Sequence, residues 1–363
     1  RSYSVTGVQT CALPIWFSRY IAMARENYAK PYPRPFPCGA VLFGFDRSVV
    51  EVLGHSLNIA DGLCTISLLV RGTPASFKLF VEQDRDRIWF MLQDSTGAPL
   101  TNVFERIRLL PDPSTPKEFP AAQTGNDDHR LWFSQVLPGQ EPERYDADRG
   151  DDRDRYFRTS AHLQPALSSR DRLDWEGNVK QMGTLERALA QTTPLFGCIL
   201  LEEGLARNRD TAAPGVTLSP SFAALQQENE KAWQTFWSHS AVELEEAGLE
   251  KIWYRNLYFL NCSVKAGVTC PGLFANWSFN TIGTAWHGDY HMNYNTQQPF
   301  WATFSSNHLE KNLPYVDLIK RLLPVSRKWA SEYYGLRGAY FPHTAYPVEM
   351  TMKIGRASCR ERV

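Results

Sequence analysis

The 363-residue sequence lacks any run of apolar residues near the ~18 that a membrane-spanning helix needs. It also lacks an excess of charge of either sign, since 39 Lys and Arg residues balance 39 Asp and Glu residues. This balance excludes a polyanion-binding tail. An apolar fraction of 43% supports packed cores and excludes a disordered chain. We therefore expect a folded protein of about two domains, with no membrane span and no nucleic-acid partner.

Several widespread catalytic motifs are missing as well. The sequence contains no G-x-S-x-G nucleophile elbow, no P-loop and no G-x-G-x-x-G dinucleotide motif. It contains no C-x-x-C pair, which argues against a zinc ribbon or a thioredoxin-type motif. We therefore predict no cofactor and no structural metal.

Both ends of the sequence resemble translated sequencing adapters rather than protein. Residues 5–15 read VTGVQTCALPI, and residues 354–363 read IGRASCRERV. The first segment can be encoded by a DNA string that resembles a sequencing adapter. The second resembles the translated reverse complement of the partner adapter. We therefore predict adapter-derived tails at residues 1–16 and 353–363, flanking a metagenomic fragment of about Phe17–Met352.

Five cysteines lie between these tails. They are Cys38, Cys64, Cys198, Cys262 and Cys270, and apolar residues flank most of them. An odd number with this setting predicts buried free thiols. A bridge between Cys262 and Cys270 is compatible with the sequence but not indicated by it.

The first part of the chain has the pattern of β-strands. Short apolar runs recur at 40–45, 63–70, 77–81, 87–92, 130–137 and 194–202, with turn residues between several of them. Many short strands of this kind predict an antiparallel β-sandwich, which we place at residues 17–210.

After about residue 211 the apolar period becomes helical. Ser219 and Pro220 resemble the N-cap and first residue of a linker helix within 211–248. An apolar stripe from 249 to 264 predicts a second helix, with Gly267 as its C-terminal cap. A third helix is predicted near 315–334, kinked at Pro324 and ending at Gly335.

The densest polar constellation is residues 286–301, WHGDYHMNYNTQQPFW. Histidine, Asp, Asn and Gln in such number are poor material for a core, because each buried polar group needs a partner. They suit a pocket that hydrogen-bonds sugar hydroxyls between aromatic walls. A polar loop with helix caps is the alternative. The H-x-D-x-H spacing of His287, Asp289 and His291 leaves open a divalent metal site, as in a metal hydrolase.

The same region resembles family 95 glycoside hydrolases, the inverting α-L-fucosidase and α-L-galactosidase family. The resemblance runs through LEKIWYRNLYFLNCSVKAGVTCPGLFANW, the 286–301 segment and NHLEKNLPYVDLI. The positions that match the family pattern are Leu273, Trp277, Trp286, Asp289, Tyr290, His291, Asn293, Asn295, Gln297 and Trp301. Pro271 is displaced by one residue, Ala275 replaces a usual Gly, and QPF at 298–300 replaces M-N-Y. These departures indicate a divergent group.

The resemblance implies a β-then-α fold: an N-terminal antiparallel β-sandwich, then the first helices of an incomplete (α/α)6 barrel from residue 249 to 352. It implies that Asn293 and Asn295 are catalytic and orient the attacking water. It further implies that substrate is bound by His291, Asp289, Tyr290, Trp286, Trp277, Gln297 and Trp301. In the family, the general acid Glu and the catalytic Asp lie downstream, so we expect the fragment itself to be inactive.

We therefore interpret the chain as part of a secreted or periplasmic glycoside hydrolase that inverts α-linked fucosides or galactosides. Its predicted partner is a carbohydrate, either an oligosaccharide or a glycan. A phosphorylase or other α-glycosidase of a neighbouring (α/α)6 family remains an alternative, as does a non-catalytic carbohydrate-binding protein. The sequence indicates neither the sugar and linkage nor the oligomeric state.

Overall fold

The computed structural model describes Ser18, Ala22 and residues 36–113, 115–117, 119–138, 154–168, 185–208, 216–219, 221–275, 288–341 and 343–345. The predicted adapter-derived tails lie outside the described residues. The chain forms two compact units. The first spans residues 38–238, and the second comprises 1–37 and 239–363.

The described part of the first unit consists mainly of β-strands. They are β1 (Ala40–Gly44), β2 (Val50–Asn58), β3 (Leu63–Val70), β4 (Thr73–Val81), β5 (Arg87–Asp94), β6 (Arg106–Leu110), β7 (Gln123–Asn126), β8 (Arg130–Leu137), β9 (Arg155–Leu163), β10 (Leu167–Ser168), β11 (Leu185–Leu189) and β12 (Phe196–Leu205). All pairings are antiparallel. The strand orders are β1-β6-β11-β10 in one sheet and β2-β3-β4-β5-β12-β9-β8-β7 in the other.

The two sheets pack face to face through aromatic rings. Phe43 of β1 contacts Phe77 of β4 and Phe90 of β5, with ring centroids 5.5 and 5.3 Å apart and edges against faces. This is the arrangement that aromatic pairs prefer. The predicted antiparallel β-sandwich is confirmed.

Strand β5 is apolar along most of its length because both of its faces are covered. Phe90 faces the small sheet through Phe43. On the opposite face, Trp89 stacks on Phe196 at 5.7 Å, in a cluster that includes Phe222. A strand buried on both sides loses the alternation of a half-exposed one, as the run RIWFML shows.

Helix α1 (Phe222–Trp237) covers that second face. Its N-cap is Ser221, whose hydroxyl accepts a hydrogen bond from the backbone N–H of Ala224. The predicted cap at Ser219 was therefore wrong by two residues, because the later serine makes the capping bond. The side chain of Asn229 donates to the carbonyl of Asp61 at 2.7 Å and joins the helix to the β2–β3 turn.

The second unit contributes helices α2 (Ala247–Ser263), α3 (Gln298–Ser305) and α4 (Leu313–Tyr334) and strands β13 (Tyr290–His291) and β14 (Thr344–Ala345). Helix α4 contains Pro324 and ends at Gly335 with φ of 61°, as predicted. The C-cap of helix α2 is Val264, three residues before the predicted cap at Gly267, and its N–H donates to the Leu260 carbonyl. Gly267 lies in the turn beyond, with φ of 80°.

The predicted order, β first and then α, is confirmed by these elements. Among the described residues, no helix has the length and apolar character needed to cross a membrane. The five cysteines between the predicted tails form no disulfide, as predicted. The predicted burial is confirmed for Cys198 and Cys270, but it was wrong for Cys262, which is exposed, and Cys38 and Cys64 are only partly buried.

Candidate functional site

A two-stranded ladder fixes the segment that carries the predicted site. Tyr290 pairs with Ala345, and His291 pairs with Thr344. The N–H of Met292 donates to the carbonyl of His343 at 2.8 Å and extends the contact. Since the backbone is extended here, side chains two positions apart project to the same side.

Asp289 and His291 form a close pair on that side. Asp289 has no exposed surface, and its Oδ1 lies 2.9 Å from Nε2 of His291. Burial raises the pKa of Asp289 to about 6, although His343 acts to lower it. Among the described residues, neither oxygen of this carboxyl has a partner in hydrogen-bonding geometry. The pair thus places a buried carboxyl with a raised pKa beside an imidazole.

The turn at 271–275 packs backbone to backbone against the segment. The N–H of Leu273 donates to the carbonyl of Asp289 at 2.9 Å. A Cβ atom on Gly272 would lie 2.7 Å from the carbonyl oxygen of Gly288, so a side chain does not fit there. Ala275 closes the turn with a positive φ of 56°. This left-handed conformation favours glycine, which is the residue that the family pattern usually has at this position.

Tyr290 points into the protein. Only 4% of the residue is exposed, and its hydroxyl donates to the carbonyl of Cys270. Burial raises the pKa of Tyr290, and that of the neighbouring Cys270 thiol to about 12. In the described structure, Tyr290 therefore holds the 270–272 backbone against the site segment.

A compact turn follows His291. The N–H of Thr296 donates to the His291 carbonyl at 3.0 Å, and the side-chain amide of Gln297 donates to the carbonyl of Met292. Asn293 and Asn295 are both exposed on this turn. The predicted catalytic amides are therefore accessible, whereas Gln297 is engaged with its own backbone.

A cavity of about 1140 Å³ opens between α2, the 271–275 turn and α3. Trp253 and Leu257 of α2, Phe274, and Phe300 of α3 supply apolar walls, and Asn295 contributes a polar group. Of the predicted site residues that the structure describes, Asn295 lines this cavity, whereas the others do not: Asp289, Tyr290, His291, Asn293, Gln297 and Trp301.

Trp301 stands on the outside of α3. It is 57% exposed and meets Tyr294 edge to face, with ring centroids 5.7 Å apart. An exposed aromatic pair beside a polar turn suits stacking against a sugar ring. Trp277 and Trp286 lie outside the described residues, as does His287 of the alternative metal motif.

The structure also brings to the site His343, which no sequence pattern indicated. Its ring lies 5.1 Å from that of His291, centroid to centroid, and its Nδ1 is 3.2 Å from Oγ1 of Thr344. The residue lies 52 positions after His291 in the sequence, and only the β13–β14 pairing brings the two together. A short strand of two residues leaves no periodic signal that would have revealed this contact.

A comparison with protein families identifies the helical region. Residues 221–360 match the model of the Glycosyl hydrolase family 95 catalytic domain. The predicted resemblance to family 95 is confirmed. The matched residues run from α1 through the Asp289–His291 pair, so the site lies within the family 95 match. No curated protein matches the chain.

Two solved structures resemble the chain over most of its length. One is a proposed kojibiose phosphorylase from the human microbiome, with 13% identity and a TM-score of 0.48 over 84% of this chain and 41% of that one. The other is a bacterial glucoamylase complexed with acarbose, with 9% identity and a TM-score of 0.46 over 82% of this chain and 43% of that one. The chain thus spans about two fifths of the length of these structures.

Proposed function

We propose that this chain is part of an inverting glycoside hydrolase that cleaves α-L-fucosides or α-galactosides on oligosaccharides or glycans. The observation that carries the proposal is the match of residues 221–360 with the family 95 catalytic domain. The choice of sugar and the inversion rest on the resemblance of residues 286–301 to that family. We further propose that the parent protein is secreted or periplasmic.

The proposed chemistry assigns the attacking water to Asn293 and Asn295. An amide is too weak a base to activate water alone, so a carboxylate must polarise it. Inversion also requires a general acid across the glycosidic bond, with the two carboxyl groups about 6.5–9.5 Å apart to leave room for water. Following the family resemblance, we assign both carboxyl groups to a region of the parent protein downstream of this sequence. We therefore expect no turnover from this chain alone.

His291 is proposed to contact the sugar, with Asp289 as its positioning residue. Nε2 of His291 lies 2.9 Å from Oδ1 of Asp289, close enough for the carboxyl group to orient the imidazole electrostatically. The ladder between β13 and β14 supports the proposal, because it holds the backbone of His291 against a second strand.

Aromatic surface completes the proposed substrate site. The exposed ring of Trp301 offers a stacking face beside Tyr294. Asn295 borders the apolar cavity and supplies a hydrogen-bonding group at its edge. Apolar walls with a few polar groups are typical of small-molecule pockets.

The proposal is tested on the complete parent protein with aryl α-L-fucoside and aryl α-galactoside substrates. We expect hydrolysis of at least one, with NMR showing the β-anomer of the sugar as first product. The α-anomer would contradict inversion. Turnover that requires inorganic phosphate would instead identify a phosphorylase. Sugar binding without turnover, in a parent protein that carries the downstream carboxyl groups, would identify a carbohydrate-binding protein.

A further inference from the structure

Three potential metal ligands converge in the second unit, apart from the proposed sugar site. His239, His308 and Glu310 each offer a donor atom, and the three atoms lie within 4.8 Å of one another. The two Nδ1 atoms are 3.3 Å apart. Oε1 of Glu310 lies 3.6 Å from Nδ1 of His308. Two imidazoles and a carboxylate therefore present their donor atoms to one small volume.

These separations agree with the geometry of a tetrahedral metal centre. Zinc binds imidazole nitrogen and carboxylate oxygen at about 2.0–2.2 Å. Two such donors on a tetrahedral ion are about 3.3–3.5 Å apart, by the tetrahedral angle and these bond lengths. The observed 3.3 and 3.6 Å are close to these values, and the third pair of donor atoms lies within 4.8 Å. An ion bound by all three would draw His239 and Glu310, both exposed, towards His308.

The backbone holds the ligands in place. His308 is fully buried, its N–H donates to the carbonyl of Thr303 at 2.9 Å, and its carbonyl accepts from Lys311 at 3.0 Å. The side chain of Asn307 donates to the carbonyl of His239 at 3.2 Å. One ligand is thus rigid and enclosed, while exposed His239 and Glu310 give an ion access from solvent.

A hydrogen bond between the two imidazoles is the simpler account of the same contact. One proton on either Nδ1 would satisfy the 3.3 Å contact without a metal. That account does not explain the nearby Glu310 carboxylate. A proton that points from one Nδ1 to the other cannot also form a hydrogen bond with Oε1 of Glu310.

We propose that His239, His308 and Glu310 form a binding site for a first-row divalent metal ion, with zinc as the first candidate. Two His and one carboxylate suit zinc and leave the fourth position for water. The ion would join the start of the second unit at 239 to the segment between α3 and α4. The proposal assigns no catalytic step to the ion, and it does not depend on the proposed glycosidase activity.

The test uses the full chain, freed of metal with a chelator and titrated with Zn²⁺ and, separately, Co²⁺. We expect one tight equivalent per chain by calorimetry, and for Co²⁺ a visible absorption of a four-coordinate site. His239→Ala and Glu310→Gln change exposed side chains, so folding should persist, which circular dichroism checks. Each should weaken Zn²⁺ binding by at least about 10–100-fold, the loss known for lesser changes around metal ligands.

His55→Ala removes an exposed histidine from the first unit and is the matched control. It should leave the affinity for both ions unchanged. Failure of the folded chain to bind one equivalent of Zn²⁺ would overturn the proposal in favour of the hydrogen-bonded pair. Binding that survives both His239→Ala and Glu310→Gln, or that falls equally in His55→Ala, would overturn it as well.

Discussion

Nε2 of His291 lies 2.9 Å from Oδ1 of Asp289, two residues earlier on the same extended segment. Both side chains project to one side because β13 pairs with β14 and keeps the segment extended. The 271–275 turn packs against the same segment through the hydrogen bond from the Leu273 N–H to the Asp289 carbonyl. A carboxyl enclosed in this way should affect both stability and pH dependence.

The first prediction concerns Asp289→Asn. Because the folded pKa of about 6 lies above the ordinary 3.8, the folded state holds this proton more tightly than the unfolded state does. The contribution of Asp289 to stability is therefore fully present below pH 3.8 and is lost as pH rises through 6. Asparagine does not ionise. As pH rises across this window, the urea midpoint of unfolding of the variant should therefore rise relative to that of the parent chain.

Asp317→Asn, on the surface of α4, is the control. If the difference between the unfolding midpoints of the parent and of Asp289→Asn stays constant with pH, the prediction is wrong.

Gly272→Ala should destabilise the second unit by about 1–3 kcal/mol, the usual cost of overpacking. The added Cβ would lie 2.7 Å from the Gly288 carbonyl oxygen, and backbone cannot move aside as a side chain can. Gly248→Ala is the control, since its Cβ meets only the flexible end of Glu246 at 3.1 Å. That change lies in helix α2 and should be neutral or stabilising by up to about 1 kcal/mol. Equal unfolding midpoints for the two variants would contradict the proposed backbone contact.

Ala275→Gly should be neutral or stabilising by up to about 1 kcal/mol. The left-handed φ of 56° costs alanine about 1–2 kcal/mol, and the greater unfolded-state entropy of glycine offsets about 0.4–1 of this. The same exchange at Ala302, exposed in helix α3, should instead cost about 1 kcal/mol. Chemical denaturation of both variants compares the signs, and a loss at position 275 as large as that at 302 would exclude the strained turn.

Asn293→Ala and Asn295→Ala should each lower kcat in the complete parent enzyme by about 10²–10⁴-fold, with little change in KM. The reason is that the proposed role of both amides is exercised in the transition state. Gln298→Ala is the control, because Gln298 borders the same cavity as Asn295 but lies outside the proposed catalytic pair. Steady-state kinetics separates the cases. A rise in KM alone would reduce the two asparagines to ordinary ligand contacts.

Trp301→Ala should weaken sugar binding and raise KM in the parent enzyme by about 2–13-fold, from the ~0.5–1.5 kcal/mol that an aromatic stacking face contributes. Phe304 provides the comparison, since it lies on the same helix and is 65% exposed but is not part of the Tyr294–Trp301 pair. Phe304→Ala should leave KM near that of the parent. Equal effects of the two substitutions would indicate a general loss of helix packing instead of sugar stacking.

Much of the fold could be predicted from local pattern. Strands β3, β4, β5 and β8 follow apolar runs, and helix α4 follows an apolar period that ends at Gly335. Strand β2 escaped prediction because most of its side chains are exposed at the sheet edge. Strand β9 escaped because its polar residues are buried with partners. Thr159 donates to the carbonyl of Cys38 at 2.7 Å, and Oγ of Ser160 lies 3.1 Å from Nε2 of His162.

The sequence by itself determined the β-then-α order, the free thiols and the resemblance to family 95, because each depends on residue types at short spacing. Only the tertiary structure decided which polar residues meet. His343 reaches His291 across 52 positions, and His308 reaches His239 across 69. It also placed Asn295 at the edge of a cavity. The physical reason is that backbone pairing and burial bring distant segments together, and these contacts leave no periodicity in the sequence.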